Sequence, residues 1–417
     1  MWHDMPSVVL IGTLDTKSVE YAWLRNRIVE LGSDVVVVDA GVGESAETLL
    51  ADVSNQRVAA AAGHDLRALR EEGDRGAAVT AMGEGAAAIV AGLHADGRVD
   101  AVLALGGSGG SSIAARAVRD LPIGLPKLIV STMAAGDISP YVGAKDVTLM
   151  YSVVDIAGVN RLSRAILGNA AAAAVGMAGA YRMAKVMRTS GGQDRPLVGA
   201  SMFGVTTPAV DAARARLDEL GYEVLVFHAT GSGGRALEGL AASGMLAGVL
   251  DLTTTELADD LVGGVLSAGP ERLTAAGAHG VPQVVAPGAL DMVNFGPRDS
   301  VPAAFEDRLL YVHNPAVTLM RTTPEEMREL GRRVAAKLRD ATGPTVLFVP
   351  RHGVSALDAP GAAFADPKAD VACFEAMEEG LRGSGVAVEE LDLHINDPLF
   401  GRAMAERLHK LISGGVS

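Results

Sequence analysis

The chain has 417 residues, of which 49% are hydrophobic, 21% charged and 4% aromatic, so it can fill two cores of roughly 200 residues each and is too apolar to be disordered. A formal net charge of −14 opposes binding to phosphate backbones, and the scarcity of aromatics leaves few platforms for stacking bases; no nucleic-acid role is expected. A single cysteine, Cys373, excludes an internal disulfide and a multi-cysteine zinc site, and reads as a small buried residue on a helix from Ala369 to Leu381.

The opening Met1-Trp2-His3-Asp4-Met5-Pro6 has no basic region followed by an apolar core. The most membrane-like stretch, Ile166 to Tyr181, contains Asn169 and three glycines and falls short of the roughly 20 residues a bilayer requires. A cytoplasmic protein without membrane contact is expected.

Val8 to Ile11 is the first predicted strand, and the turn after it carries Gly12, Thr13, Asp15, Thr16 and Lys17. Glycine permits a sharp bend, Thr13 or Asp15 can cap the next helix, and Lys17 can meet an anion. The second strand, Asp34 to Val38, ends at Asp39, a place where an acidic residue often holds a ribose hydroxyl; a plain turn in Asp39-Ala40-Gly41 explains it equally well. The third strand, Ala101 to Leu105, runs into Gly106-Gly107-Ser108-Gly109-Gly110-Ser111-Ser112 and then an alanine-rich helix. Backbone amides converge there without Cβ obstruction and the helix adds its positive end, which suits an anion. No lysine follows the glycines, and the spacing is not the strict dinucleotide pattern. A tight turn with a serine cap is the alternative. After the fourth strand, Lys127 to Ser131, comes a long polar connector in which Thr132 is a ligand candidate, and Asp137, Ser139, Lys145 and Asp146 are candidates for phosphate or magnesium or, equally, surface ion pairs.

A helix from about Asp155 to Val186 closes the first half, and Thr189 to Pro196 is a polar break. The expected domains are 1–190 and 196–417. The second half begins as the first does: Phe203-Gly204-Val205-Thr206 echoes Ile11-Gly12-Thr13-Leu14, and Glu219-Leu220-Gly221 echoes Glu30-Leu31-Gly32. This alternation predicts two α/β domains, each a Rossmann-like doubly wound, mainly parallel sheet, with ligands at the strand C-termini or in an interdomain cleft. His313, His352 and His394 follow or end predicted strands, as does Asp291, and Asp397 lies three residues past His394. Strand ends can converge in space, so these five residues are candidates for an acid/base site. No local metal-ligand spacing accompanies them, and each histidine alone is more often a structural hydrogen-bonding residue.

Ile11-Gly12-Thr13-Leu14-Asp15-Thr16-Lys17, Leu105-Gly106-Gly107-Ser108-Gly109-Gly110, Val312-His313-Asn314-Pro315 and Asp392-Leu393-His394-Ile395-Asn396-Asp397-Pro398 occur in an order that resembles an uncharacterised bacterial and fungal family related to the ATP-binding region of a tomato protein for resistance to tomato mosaic virus. The resemblance spans nearly the whole chain. It implies two α/β domains, binding of ATP or a related nucleotide with or without Mg, and self-association as a homo-oligomer, for which the alanine- and glycine-rich helix Gly168 to Ala180 is suited. Plant relatives carry a further barrel domain, so joint chemistry would need a separate barrel-domain partner. The resemblance supplies no reaction and no antiviral role. The expected function is therefore a nucleotide- or phosphometabolite-binding enzyme acting on a small molecule. The alternatives are a noncatalytic ATP-responsive binding module and a metal-dependent hydrolase or lyase.

Overall fold

The computed structural model describes residues 5–44, 49–189 and 194–414, and the chain divides into two compact units, Met1–Gln193 and Asp194–Ser417. In the first, the order is β1 (Ser7–Gly12), α1 (Leu14–Glu30), β2 (Asp34–Asp39), α2 (Asn55–Ala61), α3 (Leu66–Glu72), α4 (Arg75–Ala95), β3 (Ala101–Gly106), α5 (Ser108–Arg119), β4 (Lys127–Ser131), α6 (Ser139–Val142), β5 (Val147–Tyr151) and α7 (Arg161–Thr189). The strands form one parallel sheet in the order β2-β1-β3-β4-β5. β1 and β3 are runs of valine, leucine, isoleucine and alanine because both of their faces are covered: one by α2, α4 and α5, the other by α1 and α7. The order reverses between β1 and β3, so their C-terminal turns diverge and leave a crevice, which is where ligands of such sheets bind.

α7 begins at Arg161, later than the expected Asp155, because Asn160 Oδ1 accepts the Leu162 and Ser163 N–H groups at 2.9 and 3.0 Å and caps it there. Among the described residues one helix, α4, is long and apolar enough to cross a membrane by length and composition, and it is not the Ile166–Tyr181 stretch that reads as most apolar in the sequence. Half of its most apolar window is buried, where it packs against α2 and α5.

The second unit runs β6 (Leu197–Met202), α8 (Thr207–Glu219), β7 (Glu223–His228), α9 (Ser232–Ala242), β8 (Gly248–Thr253), α10 (Glu256–Val262), α11 (Ala275–Ala278), β9 (Gln283–Gly288), β10 (Met292–Phe295), β11 (Leu310–Asn314), β12 (Val317–Arg321), α12 (Pro324–Arg339), β13 (Thr345–Pro350), α13 (Pro367–Leu381), β14 (Ala387–Leu391) and α14 (Pro398–Ile412). Its parallel sheet has the order β14-β13-β9-β8-β6-β7, and a small antiparallel sheet, β10-β12-β11, is inserted between β9 and α12. Both units are thus doubly wound α/β sheets, as the alternation of the sequence predicts. The antiparallel insertion was not foreseen.

Candidate functional site

A pocket of about 640 Å³ opens in the first unit at the β1/β3 crevice. Its floor is the turn after β1 (Thr13, Asp15, Thr16, Lys17) and the start of α5 (Gly107 to Gly110). Its wall includes Val42, Leu69, Val79 and Ile113. Arg70, Asp74, Arg75 and Asp155 complete the charged lining. This volume lies within the usual range for small-molecule sites of roughly 300–1,000 Å³.

At the floor, Ser108, Gly109 and Gly110 are the first residues of α5, and the first i to i−4 bond runs from Ser111 N–H to Gly107 O at 2.9 Å. Their amides have no intrahelical acceptor, and the N-cap Gly107 provides no side chain to cap them. Arg75 adds a guanidinium with no hydrogen-bond or ion-pair partner among the described residues, and its Nη2 lies 3.6 Å from where a Cβ on Gly109 would stand.

The other charged groups of the lining are partly or wholly committed. Asp74 Oδ1 caps α4 by accepting Gly76 and Ala77 N–H (2.8 and 3.0 Å). Asp15 Oδ2 accepts Gly43 N–H at 2.7 Å, and Arg70 donates to Val42 O and to Gly43 O, so that the loop after β2 is clamped from both sides. Lys17 Nζ donates to Ile156 O at 2.6 Å. At this end of the pocket the first amides of α5 and the Arg75 guanidinium are, among the described residues, donors without partners, while Asp15 Oδ1 is a buried acceptor without one.

Of the predicted ligand residues, Thr13, Asp15, Thr16, Lys17, Gly107, Ser108, Gly109 and Gly110 line this pocket. Gly12, Asp39, Gly106, Ser111 and Thr132 do not. Gly12 is required by Tyr21, whose ring would lie 2.0 Å from a Cβ there; the Tyr21 hydroxyl bridges Ile11 O (2.5 Å) and Leu105 O (3.0 Å) and accepts Leu105 N–H (2.9 Å), stitching β1 to β3. Asp39 is fully buried, and its Oδ1 accepts Leu14 N–H (3.1 Å) and Gly41 N–H (2.9 Å). It caps α1 from the neighbouring strand and is not placed to hold a ribose. Gly106 lets α5 approach the strand, with Gly110 Cα 2.8 Å from its missing Cβ. Ser111 is buried against Ser131 Oγ at 2.7 Å, and Thr132 lies beyond Gly107 without reaching the lining.

The connector candidates also serve the fold. Asp137 Oδ1 accepts from Ser139 N–H and Oγ, and Asp146 pairs with the buried Lys127 at 2.7 Å. Lys145 is half-buried and outside the pocket. The wall formed by α3 and α4, including Arg70 and Arg75, was missed; its signal was the long connection from Asp39 to Ala101, far more chain than a crossover needs.

In the second unit Asp291 and His394 both contact Ser355, His352 adjoins them through its backbone N–H to Leu393 O at 3.2 Å, and His313 does not join them. His313 lies on β11, exposed on the edge of the antiparallel insertion, so it is not at a parallel strand end. His352 is exposed and paired with exposed Asp392 at 2.8 Å. His394 is half-buried; its Nδ1 accepts Asn396 N–H and its Nε2 meets Ser355 O at 3.0 Å, both structural roles. Asp397 caps α14 through Leu399 N–H. Asp291 is fully buried and accepts from Ser355 Oγ at 2.8 Å; since His394 touches the carbonyl of Ser355 and not its hydroxyl, the three residues do not form a nucleophile relay. Burial and the neighbouring Asp358 push Asp291 up to about 7. Burial likewise raises Asp358 and takes Asp370 up to about 8, where both carboxylates face the Arg321 guanidinium at 3.3 and 3.0 Å. Cys373 is fully buried on α13, which raises its thiol and keeps it unreactive.

The second unit's glycine turn before α9 shows how a protein fills such a place itself. Glu256 Oε1 accepts the Gly231 and Gly234 N–H groups at 2.6 and 3.0 Å, and its Oε2 binds buried Arg272 at 2.6 Å.

Residues 6–183 match the N-terminal domain, and residues 195–412 the C-terminal domain, described as Uncharacterised protein family (UPF0261). A UPF0261 protein of Clostridium tetani is 49% identical over 96% of this chain and 98% of its own length, and one of Rhizobium meliloti is 48% identical over 96% and 97%. The ToMV resistance protein Tm-1(GCR237) of Solanum lycopersicum is 43% identical over 80% of this chain and 44% of its own length. A solved structure of a UDP-glucosyltransferase from Polygonum tinctorium aligns at 10% identity with a TM-score of 0.21, over 99% of this chain and 100% of that one.

Proposed function

The chain belongs to the UPF0261 family, and from that premise we propose that its N-terminal unit binds the phosphate of a nucleotide or phosphorylated metabolite over Gly107 to Gly110. The observation that carries this reading is the set of uncommitted donors at one end of the pocket: the first amides of α5 and the Arg75 guanidinium. The apolar wall of Val42, Leu69, Val79 and Ile113 suits the body of a nucleoside, so ATP or a relative is the ligand to try first. Mg would come with the phosphates, since this cation keeps several waters and needs only one or two carboxylates; Asp155 in the lining is the residue to hold it.

We place binding ahead of catalysis because His394 and Asp291 meet Ser355 through its carbonyl and its hydroxyl respectively, His352 is exposed and paired with Asp392, and His313 lies on β11. Among the described residues no three His, Cys, Asp or Glu side chains are arranged to hold one metal ion, so the hydrolase or lyase alternative gains no support. A noncatalytic ATP-responsive module is the reading this favours. Self-association would use the outer face of α7, where Ala165, Ala172 and Gly176 are exposed, and light scattering across micromolar concentrations tests it.

The test of binding is calorimetric titration with ATP, ADP and inorganic phosphate. Gly107→Val should weaken binding by about a hundredfold or more while unfolding stays cooperative, because a branched Cβ blocks approach to the amides. Equal affinity in variant and parent would move the ligand elsewhere.

A further inference from the structure

The segment from Ser152 to Gly158 joins β5 to α7 beside the pocket, and its backbone is strained. Val153 has φ +64°, a conformation that a β-branched residue strongly disfavours, and its side chain is 58% exposed, so packing of its own does not compensate. Such strain persists only where the surroundings over-determine it. The turn itself is closed by Val154 N–H donating to Ser152 O and by Ser152 Oγ donating to Val154 O, both at 2.7 Å, and two side chains of α1 hold the rest of the segment: Lys17 Nζ donates to Ile156 O at 2.6 Å, and Glu20 Oε1 accepts Gly158 N–H at 2.6 Å.

The two anchors differ in what else they touch. Glu20 is buried and outside the pocket. Lys17 lines the pocket together with Asp155, and α1 departs from helical geometry at this residue alone (φ −132°, ψ 28°). An amine of this kind carries three N–H donors when protonated; Ile156 O takes one, which leaves two for the pocket.

We propose that Lys17 is a positioning residue through which the pocket's ligand locks the Ser152–Gly158 segment: the bound anion takes the free donors of Lys17, fixes its side chain, and thereby holds Ile156. This rests on the anion reading of the pocket. By reciprocity, whatever loosens the segment weakens the ligand. Occupancy of the pocket is then reported outside it, along the exposed Tyr151, Val153 and Val154.

Hydrogen exchange of the full chain, followed by mass spectrometry with and without ATP–Mg or inorganic phosphate, tests the proposal. In the parent protein the ligand should slow exchange both at 107–111 and at 152–158. In Lys17→Met the 152–158 amides should exchange at least about tenfold faster, the equivalent of one hydrogen bond to a charged group, and should no longer respond to ligand while 107–111 still does. Val153→Gly, which removes the strain, should slow the segment again in the Lys17→Met background without restoring its response to ligand. Protection at 107–111 with 152–158 unchanged or faster in the parent overturns the coupling and leaves the anion site standing, as does a ligand response at 152–158 that survives Lys17→Met. No protection at 107–111 from either probe overturns the anion site and the coupling together.

Discussion

The third strand of each unit runs into a helix at the same place in the topology, but the two turns have opposite characters. In the N-terminal unit the passage from β3 into α5 is Gly107 and the first helical residues Ser108-Gly109-Gly110, open to a pocket of about 640 Å³. In the C-terminal unit the turn from β8 to α10 is Thr253-Thr254-Thr255-Glu256, and all four residues are fully buried. There Thr253 Oγ1 meets Thr206 Oγ1 at 2.8 Å, Thr254 Oγ1 donates to Ala286 O at 3.1 Å, and Val205 O at the adjacent turn accepts from Asn396 Nδ2 and Ala356 N–H. One crevice is closed by the chain's own hydrogen bonds and the other is not. Charges follow the same division: Arg272 is buried among Asp251, Glu256 and Glu238, and Arg321 between Asp358 and Asp370, while Arg75 stands without a partner among the described residues. Groups bonded to one another in this way hold the fold, while donors left open at a sheet's reversal point are those a ligand can use.

The sharpest way to break this comparison is to empty the closed side. Glu256→Ala removes the carboxylate that occupies the α9 amides and faces Arg272, and chemical or thermal unfolding should show the C-terminal unit losing about 3–5 kcal/mol, as for a broken buried ion pair. A loss below about 1 kcal/mol would mean the network is not what holds this turn.

A second test uses pH. Asp370, up to about 8, and Asp291, up to about 7, hold their protons more tightly folded than unfolded, so their contribution is fully present at low pH and stability falls as pH rises from about 4 through about 8, levelling off above. One such proton makes about 1–2 kcal/mol of difference between pH 6 and pH 8, and Asp370→Asn should flatten the decline in a denaturant titration series. An unchanged slope in that variant would place the proton elsewhere.

The smallest effects separate neighbours on the open side. Arg75→Ala should cost about tenfold in affinity for ATP and leave stability unchanged, because its guanidinium supports nothing in the fold. Asp74→Ala should do the reverse, costing about 1 kcal/mol of stability through the lost cap of α4 while affinity holds or rises. If both variants changed affinity equally, the division between committed and uncommitted groups in this pocket would fail.

The sheets were legible because a strand buried on both faces leaves a run such as Val35-Val36-Val37-Val38, and helix ends such as Glu30-Leu31-Gly32 repeat their turn chemistry. The β1 and β3 turns were legible for the same reason. Which glycine faces a ligand was not: Gly106 and Gly107 are adjacent, yet one is fixed by a helix pressing on it and the other borders open space, a distinction made by partners far away in sequence. Asp39 misled because an acid at that position can hold a sugar or a helix end, and the amide of Leu14, placed only by folding, decided between them. His313 misled because β11 reads as one more strand of the main sheet, when the sharp return into β12 makes it the edge of a separate antiparallel one; His352 and His394 do follow the parallel strands β13 and β14, but their ring nitrogens are taken by Asp392, Ser355 O and Asn396 N–H.

The contact between Gly12 and Tyr21 binds two positions to a common history. No side chain fits at position 12 while the phenol stands at position 21, and without the phenol the Leu105 amide loses its acceptor. Variation among relatives should therefore reach these sites jointly or not at all, and a library randomised at both should recover glycine with tyrosine, or a larger residue at 12 with a much smaller one at 21, and few mixed combinations.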